Sequence, residues 1–162
     1  RVSKKCFACL SERTSKKLVI DFCNKMGYKP ILFRAYHTFS GKRLSIYHTN
    51  VMMSIGNKFA AIGLNSVDNI TERENLINEL AKERKDIIFL TETQIKHFAG
   101  NMLLLKNLKE EPILVMSSSA YNSLTKIQIK KFENHSEIIH SSLNTIESVG
   151  GGSARCMLAE IF

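Results

Sequence analysis

The strongest candidate for covalent chemistry is Cys156, which closely follows three glycines in the segment GGGSARCMLAE at residues 150–160. Glycines before a cysteine let the backbone approach a ligand closely. Arg155, the neighbouring residue, favours the thiolate, which is the nucleophilic form of cysteine. A Gly/Ser run is also typical of a flexible linker, but a linker does not usually lead straight into Arg-Cys-Met-Leu. By spacing alone, Cys156 is either a nucleophile or a buried structural cysteine.

Two further segments carry residues suited to catalysis or binding. YHTNV at residues 47–51 places His48 among polar neighbours at the end of an apolar stretch, where an imidazole can act as general acid and base. The alternative is a structural histidine whose ring nitrogens are both hydrogen-bonded within the fold. FAGNM at residues 98–102 forms a tight turn that enters a strand and carries Asn101. The remaining histidines lie in polar or turn-like contexts and are weaker candidates: His37, His97, His135 and His140.

Cys6 and Cys9 form a CxxC motif, the pattern of half a zinc site or of a redox pair. No second CxxC and no His pair follows at zinc-finger spacing. The surrounding residues 5–10, KCFACL, also fit a buried strand, and this is the preferred interpretation. A disulfide framework is not expected in a chain with this much apolar sequence.

The elements that would position these residues alternate short strands with helices. Strands are predicted at residues 5–10, 28–36, 59–64, 86–90, 102–105, 112–116 and 137–140, and a broken apolar stretch at 44–55. A helix capped by Ser11 or Thr14 should run to about Met26 and stop at Gly27. Thr71 and Glu74 form a capping box for a helix at 71–84, residues 91–99 favour a short helix, and two short helices should meet at Thr125.

The order strand-strand-helix-strand occurs twice, over residues 46–90 and 102–140, and the helix-strand pair at 11–36 resembles the end of an earlier unit. Such a repeat predicts an α/β architecture in which each ββαβ unit buries a face against the next. No linker composition separates the units, so the chain is treated as one domain.

Composition narrows the function classes. Apolar residues make up 44% and charged residues 23% of the 162 residues, which is ordinary for a globular protein and argues against disorder. The formal charge of +8 is spread over single and paired lysines rather than a dense basic run, so nucleic-acid binding is not expected. No apolar run reaches the roughly 18 residues of a membrane span. With no signal-like apolar segment at the N-terminus, the cytoplasm is the expected compartment.

Four segments together resemble the amidinotransferase / arginine-deiminase superfamily: IYHTNVMMSIG (46–56), FAGNML (98–103), VMSSSAYNSLT (115–125) and IESVGGGSARCMLAEIF (146–162). The resemblance is to the arginine-deiminase-related, citrulline-hydrolase-like branch. It implies a five-bladed α/β propeller (pentein) of ββαβ units. It also implies that Cys156 attacks a guanidino or ureido carbon, and that His48 protonates the leaving amine and then activates water. Asn50, Asn101 and Arg155 are the expected substrate-binding residues.

The family pattern also includes an upstream acidic residue in a Gly-rich segment, and no such segment occurs here. The expectation is therefore that residues 1–162 form the C-terminal part of one catalytic domain, about half of the propeller. On that expectation, the isolated chain should be inactive and poorly stable, because blade faces and strand edges would be uncovered.

The family often carries His-x-Asp where this chain has His48-Thr49-Asn50. An aspartate pairs with a guanidinium through charge-assisted hydrogen bonds, whereas an amide offers both a donor and an acceptor to a ureido group. This predicts a preference for citrulline-like substrates over arginine, unless Asn50 only shapes the His48 loop.

The alternatives left open are an amidinotransferase, in which an amine replaces water, and a catalytically inactive propeller used for binding. Retention of Cys156 and His48 argues against the second. No metal or organic cofactor is expected, because the His and Cys residues lack ligand spacing and no phosphate-binding loop occurs. The expected partner is a small-molecule amino-acid substrate, and a homo-oligomer is left open.

Overall fold

The computed structural model describes residues 4–159. Its first elements form a β-α-β unit in which β1 (Lys5–Cys9) and β2 (Lys29–Phe33) pair in parallel and α1 (Lys16–Met26) connects them. Gly27 ends α1 in the left-handed conformation with φ of 67°, which is the usual role of glycine after a helix. The strand expected around the CxxC motif and the helix that follows it are confirmed. The predicted cap at Ser11 or Thr14 is wrong, because Ser15 is the residue that precedes the first helical residue, Lys16.

A β-hairpin follows, where the sequence predicted the end of one long strand over residues 28–36. That prediction is wrong: β2 ends at Phe33, and a separate strand β3 (Tyr36–Phe39) pairs antiparallel with β4 (Lys42–Ser45). The chain reverses through Ser40 and Gly41, whose φ values of 48° and 76° fit a tight two-residue turn. This hairpin is a two-stranded sheet of its own.

The next two sheets are ββαβ units, as the repeat predicted. The first strand of the first unit is shorter than the predicted 46–55, because residues 49–52 form a helical turn and the strand begins at Met53. In each, the first two strands are antiparallel and the third pairs in parallel with the middle strand. The first unit follows the short helix α2 (Thr49–Met52) and comprises β5 (Met53–Ile55), β6 (Phe59–Ile62), α3 (Ile70–Ala81) and β7 (Asp86–Phe89). Helix α4 (Glu92–Lys96) leads to the second unit, which comprises β8 (Leu103–Lys106), β9 (Pro112–Ser117), α5 (Ser118–Ser123), α6 (Lys126–Glu133) and β10 (Glu137–Ser141). Helix α7 (Asn144–Val149) and a 3₁₀ turn (Ala154–Met157) complete the described chain.

The helix boundaries follow local capping chemistry. The predicted break at Thr125 is confirmed, because the Thr125 hydroxyl accepts a 3.2 Å hydrogen bond from the Gln128 N–H and begins α6. The predicted cap at Thr71 is wrong. Asn69 caps α3 instead, its side-chain oxygen accepting from the Glu72 N–H at 3.0 Å, and α3 ends at Ala81 rather than near residue 84.

The core lies between the two ββαβ units and the β-α-β unit. All four residues of β6 are buried, because this strand is the middle one of its sheet and is covered on both faces. Phe59 of β6 packs edge to face on Phe132 of α6, with ring centroids 5.2 Å apart. This contact joins the first ββαβ unit to the second.

Three further findings concern the described residues only. None of their helices has the length and apolar character required to cross a bilayer. Residues 4–159 also contain no group of three or more His, Cys, Asp or Glu side chains placed to hold a metal ion. The described strands form separate sheets rather than a closed ring, so the five-bladed propeller stays a prediction.

Candidate active site

Cys156 lies at a cleft of about 600 Å³ that also contacts His48, Asn50 and Asn101. These residues come from three parts of the chain: the residues around α2, the turn after α4, and the 3₁₀ turn near the C-terminus. The structure thus brings together four of the five predicted site residues. Arg155, the fifth, lines a neighbouring cleft of about 430 Å³, which His48 and Asn50 also line.

Backbone contacts hold Cys156 in an exposed position within the 3₁₀ turn. Its N–H donates to the carbonyl of Ser153 at 3.0 Å, and the buried Ser153 hydroxyl donates to Glu147 of α7 at 2.6 Å. Gly152 approaches so closely that a Cβ there would lie 3.0 Å from Cys156 Cβ and 3.1 Å from Sγ. The absence of a side chain at Gly152 therefore leaves room for the thiol.

Asn101 contacts the sulfur most directly. Its Nδ2 donates to Cys156 Sγ at 3.2 Å and to the carbonyl of Asn50 at 3.0 Å, so both amide hydrogens are used. The second bond also fixes the orientation of the amide, because only the nitrogen can donate to a carbonyl. An N–H donor at this distance stabilises negative charge on the sulfur.

The side chain of Asn50 also faces the thiol, with Nδ2 3.9 Å from Cys156 Sγ. The oxygens Asn50 Oδ1 and Asn101 Oδ1 are buried and accept no hydrogen bond from the described residues. A buried amide oxygen without a donor costs free energy unless a ligand or water supplies one. These two acceptors of the site therefore have no donor among the described residues.

A tight turn presents Asn101 to the cleft. Phe98 adopts a left-handed conformation with φ of 62°, and the Asn101 N–H donates to the Phe98 carbonyl at 2.8 Å. Gly100 packs against the backbone of α2, where an added Cβ would collide with the carbonyl oxygen of Val51. Only glycine permits this approach of the turn to α2.

His48 precedes α2 as its N-terminal cap residue and is exposed to the cleft. The following residue anchors the helix to β1, since the Thr49 hydroxyl accepts from the Cys9 N–H at 2.9 Å. The preceding residue Tyr47 contacts the His48 ring edge to face at 4.9 Å and donates from its hydroxyl to the Gly151 carbonyl at 3.0 Å. Tyr47 therefore links the histidine segment to the glycine run beside Cys156.

The family model for eukaryotic N,N-dimethylarginine dimethylhydrolases matches residues 1–162. The chain belongs to this family. The predicted membership of the amidinotransferase / arginine-deiminase superfamily is thereby confirmed.

Among solved structures, this dimethylarginine dimethylhydrolase family member is similar to the apo crystal structure of ArgZ, an arginine dihydrolase from the ornithine-ammonia cycle in cyanobacteria. The TM-score is 0.68 at 14% sequence identity, which is evidence of a shared fold. The match covers 93% of this chain and 21% of ArgZ, so the chain spans about a fifth of the length of that structure. No curated protein sequence matches the chain significantly.

Several residues that line the cleft of this family member carry no sequence motif. Arg13 lies over the Tyr47 ring, 5.0 Å from its centroid, and Lys96 and Phe39 line the same cleft. His37, a weaker candidate by sequence, also lines it. No local signal marks Arg13 or Lys96, because each is one of many surface cations in the sequence. Only folding brings Arg13, from the connection between β1 and α1, and Lys96, from α4, to the same cleft.

The other cysteines differ from Cys156 in their surroundings. Burial raises the pKa of Cys9 to about 11, and burial together with the neighbouring Cys23 raises the pKa of Cys6 to about 11. A raised pKa lowers the thiolate fraction and hence nucleophilicity. Cys156, in contrast, is exposed and has an amide donor on its sulfur.

Proposed function

We propose that the protein hydrolyses a C–N bond in the guanidino group of an arginine derivative, N,N-dimethylarginine being the class that the family name indicates. The observation that carries the proposal is the 3.2 Å contact from Asn101 Nδ2 to Cys156 Sγ in a cleft shared with His48. An exposed cysteine with a donor on its sulfur and an imidazole in the same cleft is suited to nucleophilic catalysis.

In the proposed reaction, Cys156 Sγ attacks the guanidino carbon and forms a tetrahedral adduct. The C–N bond to the leaving amine then breaks as His48 gives that nitrogen a proton, which leaves a thiouronium intermediate on the sulfur. Water adds to the same carbon and loses a proton to His48. The C–S bond then breaks, releasing a ureido product and regenerating the thiolate. The net reaction consumes one water and yields citrulline and an amine.

The hydrogen-bonding capacity beside the sulfur supports a guanidino substrate. Both hydrogens of the Asn101 amide are already used, so this side chain can offer a ligand only its acceptor, Oδ1. Asn50 Oδ1 is a second unfilled acceptor. A guanidinium carries only N–H donors, and it would satisfy both oxygens without requiring a further donor from these two amides.

A citrulline-like substrate is the second candidate, favoured by the charge of the cleft. The larger cleft is lined by Arg13 and Lys96, the smaller by Lys5 and Arg155, and no Asp or Glu is among the described residues that line either. This basic lining disfavours a guanidinium and favours an uncharged ureido group. Because of this basic lining, the preference for citrulline predicted from Asn50 stays a prediction. Arg155 and Lys5 are the proposed contacts for the anionic end of an amino acid.

We further propose that the ββαβ units are blades of a five-bladed α/β propeller within a single catalytic domain. The similarity in fold to ArgZ and the repeated strand order support this proposal.

The proposal is tested by steady-state kinetics of the complete protein on N,N-dimethyl-L-arginine, L-arginine and L-citrulline. Cys156→Ala should lower kcat by about a thousandfold or more, because no other group can form the covalent intermediate. Cys6→Ser is the matched control and should keep near wild-type activity. Full activity of Cys156→Ala would refute the proposed nucleophile.

The two substrate candidates are separated by the same assay. If citrulline is preferred, Asn50→Asp should lower kcat/KM on citrulline and raise it on guanidino substrates, because a carboxylate pairs with a guanidinium. Asn122→Asp adds the same charge on an exposed face of α5 and should change neither ratio. A clear preference of the unmutated enzyme for guanidino substrates would exclude the citrulline alternative.

A further inference from the structure

The β3–β4 hairpin stands apart from the repeated units yet forms part of the cleft. Its strands pair only with each other among the described strands, and the hairpin base is closed by the Ile46 N–H donating to the Ala35 carbonyl at 2.8 Å. All four residues of β4 are exposed, so burial contributes little to holding it in place. Polar contacts must therefore fix the position of the hairpin.

Arg43 of β4 makes those contacts. Its guanidinium forms ion pairs with Asp68, which precedes α3, and with Glu92, the first residue of α4. The Arg43 Nε to Asp68 Oδ2 distance is 3.3 Å, so the pairing with Asp68 is two-pronged. The planar fork of arginine suits such an arrangement, and a lysine could not reproduce it.

The strand opposite Arg43 uses the same carboxylate. Thr38 of β3 lies across from Arg43, its N–H donates to Glu92 Oε2 at 3.0 Å, and its hydroxyl accepts from Arg43 Nη1 at 3.2 Å. Contact with Arg43 and Thr38 outweighs the effect of burial and lowers the pKa of Glu92. These four residues, Arg43, Thr38, Asp68 and Glu92, are called the Arg43 clamp below.

The alternation of β3 places the clamp and the cleft on opposite faces of the hairpin. Thr38 points to the clamp, and its neighbours His37 and Phe39 line the cleft that contains Cys156. The far end of the clamp is the start of α4, whose residues Ile95 and Lys96 line the same cleft. The clamp therefore joins two walls of the cleft to each other.

We propose that Arg43 is a positioning residue that holds the hairpin as a wall of the active site, and that Phe39 on this wall restricts which groups reach Cys156. Phe39 is 61% exposed, so its ring is available for contact with the apolar part of a ligand. The identity of that ligand rests on the proposed function, whereas the restriction of access does not.

The restriction is tested first without substrate. The rates of Cys156 modification by iodoacetamide, a small reagent, and by N-benzylmaleimide, a bulky one, are measured site by site by mass spectrometry. Arg43→Gln should raise the ratio of the modification rate with the bulky reagent to that with the small one by about fivefold, a size typical of losing a forked ion pair near a surface. Phe39→Ala should raise the same ratio, because it removes the ring that restricts access to Cys156. Lys106→Gln removes a remote exposed ion pair and should leave the ratio unchanged.

Hydrogen exchange and kinetics complete the test. Amides of residues 36–45 should exchange faster in Arg43→Gln, and Arg43→Lys should restore protection only in part. In the complete enzyme, KM should rise about fivefold in Arg43→Gln while kcat stays within about twofold, since the clamp does not touch the reacting atoms.

An unchanged reagent ratio in both Arg43→Gln and Phe39→Ala would overturn the inference. Because Phe39 is exposed, Phe39→Ala should not unfold the hairpin. It therefore tests the restriction of access to Cys156 even if Arg43→Gln unfolds the hairpin. If the unmutated protein turns over none of the substrates while the variants change the reagent ratio, the proposed function is refuted and the inference about the hairpin stands.

Discussion

Gly152 offers a direct test of how tightly the chain positions Cys156. In Gly152→Ala, the new Cβ would lie 3.0 Å from Cys156 Cβ and 3.1 Å from Sγ, whereas ordinary contact begins at 3.4 Å. The sulfur must therefore move by about 0.3 Å, away from a position in which Asn101 Nδ2 donates to it at 3.2 Å. The backbone at Gly152 is not in the left-handed region, so alanine introduces no conformational strain there.

The magnitude follows from the displacement. A misplacement of 1 Å at a reacting group costs about a hundredfold in rate, so 0.3 Å corresponds to about fourfold if the activation free energy scales with distance. The expected result is a loss of about fourfold in kcat for the proposed reaction. Alkylation of Cys156 by iodoacetamide should also slow, because the displaced sulfur loses part of its contact with the Asn101 donor. The melting temperature should change little.

The adjacent glycine provides the matched control. Gly151 has φ of 66°, and a methyl group added there would meet no atom within 4 Å, so Gly151→Ala introduces strain without contact. It should lower the free energy of unfolding by about 1 kcal/mol with a smaller effect on the alkylation rate. If Gly152→Ala reacts like the wild type while Gly151→Ala is slowed, the steric argument is refuted.

Three further predictions concern the rest of the chain. The Glu79 carboxylate accepts hydrogen bonds from Lys82 and Lys29, which lower its pKa to about 2. The stability that this carboxylate contributes is therefore present above its ordinary pKa of 4.5 and is lost as the pH falls towards 2. Glu79→Gln should flatten this acid dependence of the melting temperature in thermal denaturation. At pH 8, thiols with a pKa of about 11 are about 0.1% ionised, so iodoacetamide should modify Cys6 and Cys9 far more slowly than Cys156, as read by mass spectrometry. Gly100→Ala should destabilise the protein by about 2 kcal/mol or more in urea denaturation, because its methyl group meets backbone rather than a movable side chain.

Each of these has a control and a contrary outcome. Glu110→Gln removes an exposed carboxylate and should keep the acid dependence, and an equal flattening in both variants would contradict the role of Glu79. Alkylation of Cys9 at the rate of Cys156 would contradict the burial of β1. For Gly100→Ala, the control is Gly27→Ala, which has open space and only the strain of φ 67°, and the larger loss of stability should belong to Gly100.

The elements and the repeat can be predicted from sequence because they depend on local chemistry. Apolar periodicity, the stop at Gly27 and the cap at Thr125 act within a few residues, so they predict α1, α6 and the order of the ββαβ units. Local chemistry fails where two signals of similar strength compete. Asn69 rather than Thr71 caps α3, and the strand predicted over 28–36 divides because the chain turns into a hairpin.

The same holds for the site residues. Sequence motifs select Cys156, His48, Asn50 and Asn101, but a motif cannot state which side chain faces which. Only in the folded chain does Asn101, 55 residues earlier in sequence, donate to the sulfur, and only there does Arg155 line the neighbouring cleft although it adjoins Cys156 in the chain. Neighbouring side chains in a tight turn point in different directions, so adjacency in sequence does not produce contact.

The Arg43 clamp and the cleft wall depend wholly on tertiary structure. Arg43 is separated by 25 residues from Asp68 and by 49 from Glu92, and each of the three is an ordinary charged residue in its own segment. Ion pairs over such separations form only after the core has brought the hairpin, α3 and α4 together. No periodicity or motif encodes them, because the chain that folds between the partners sets their distance.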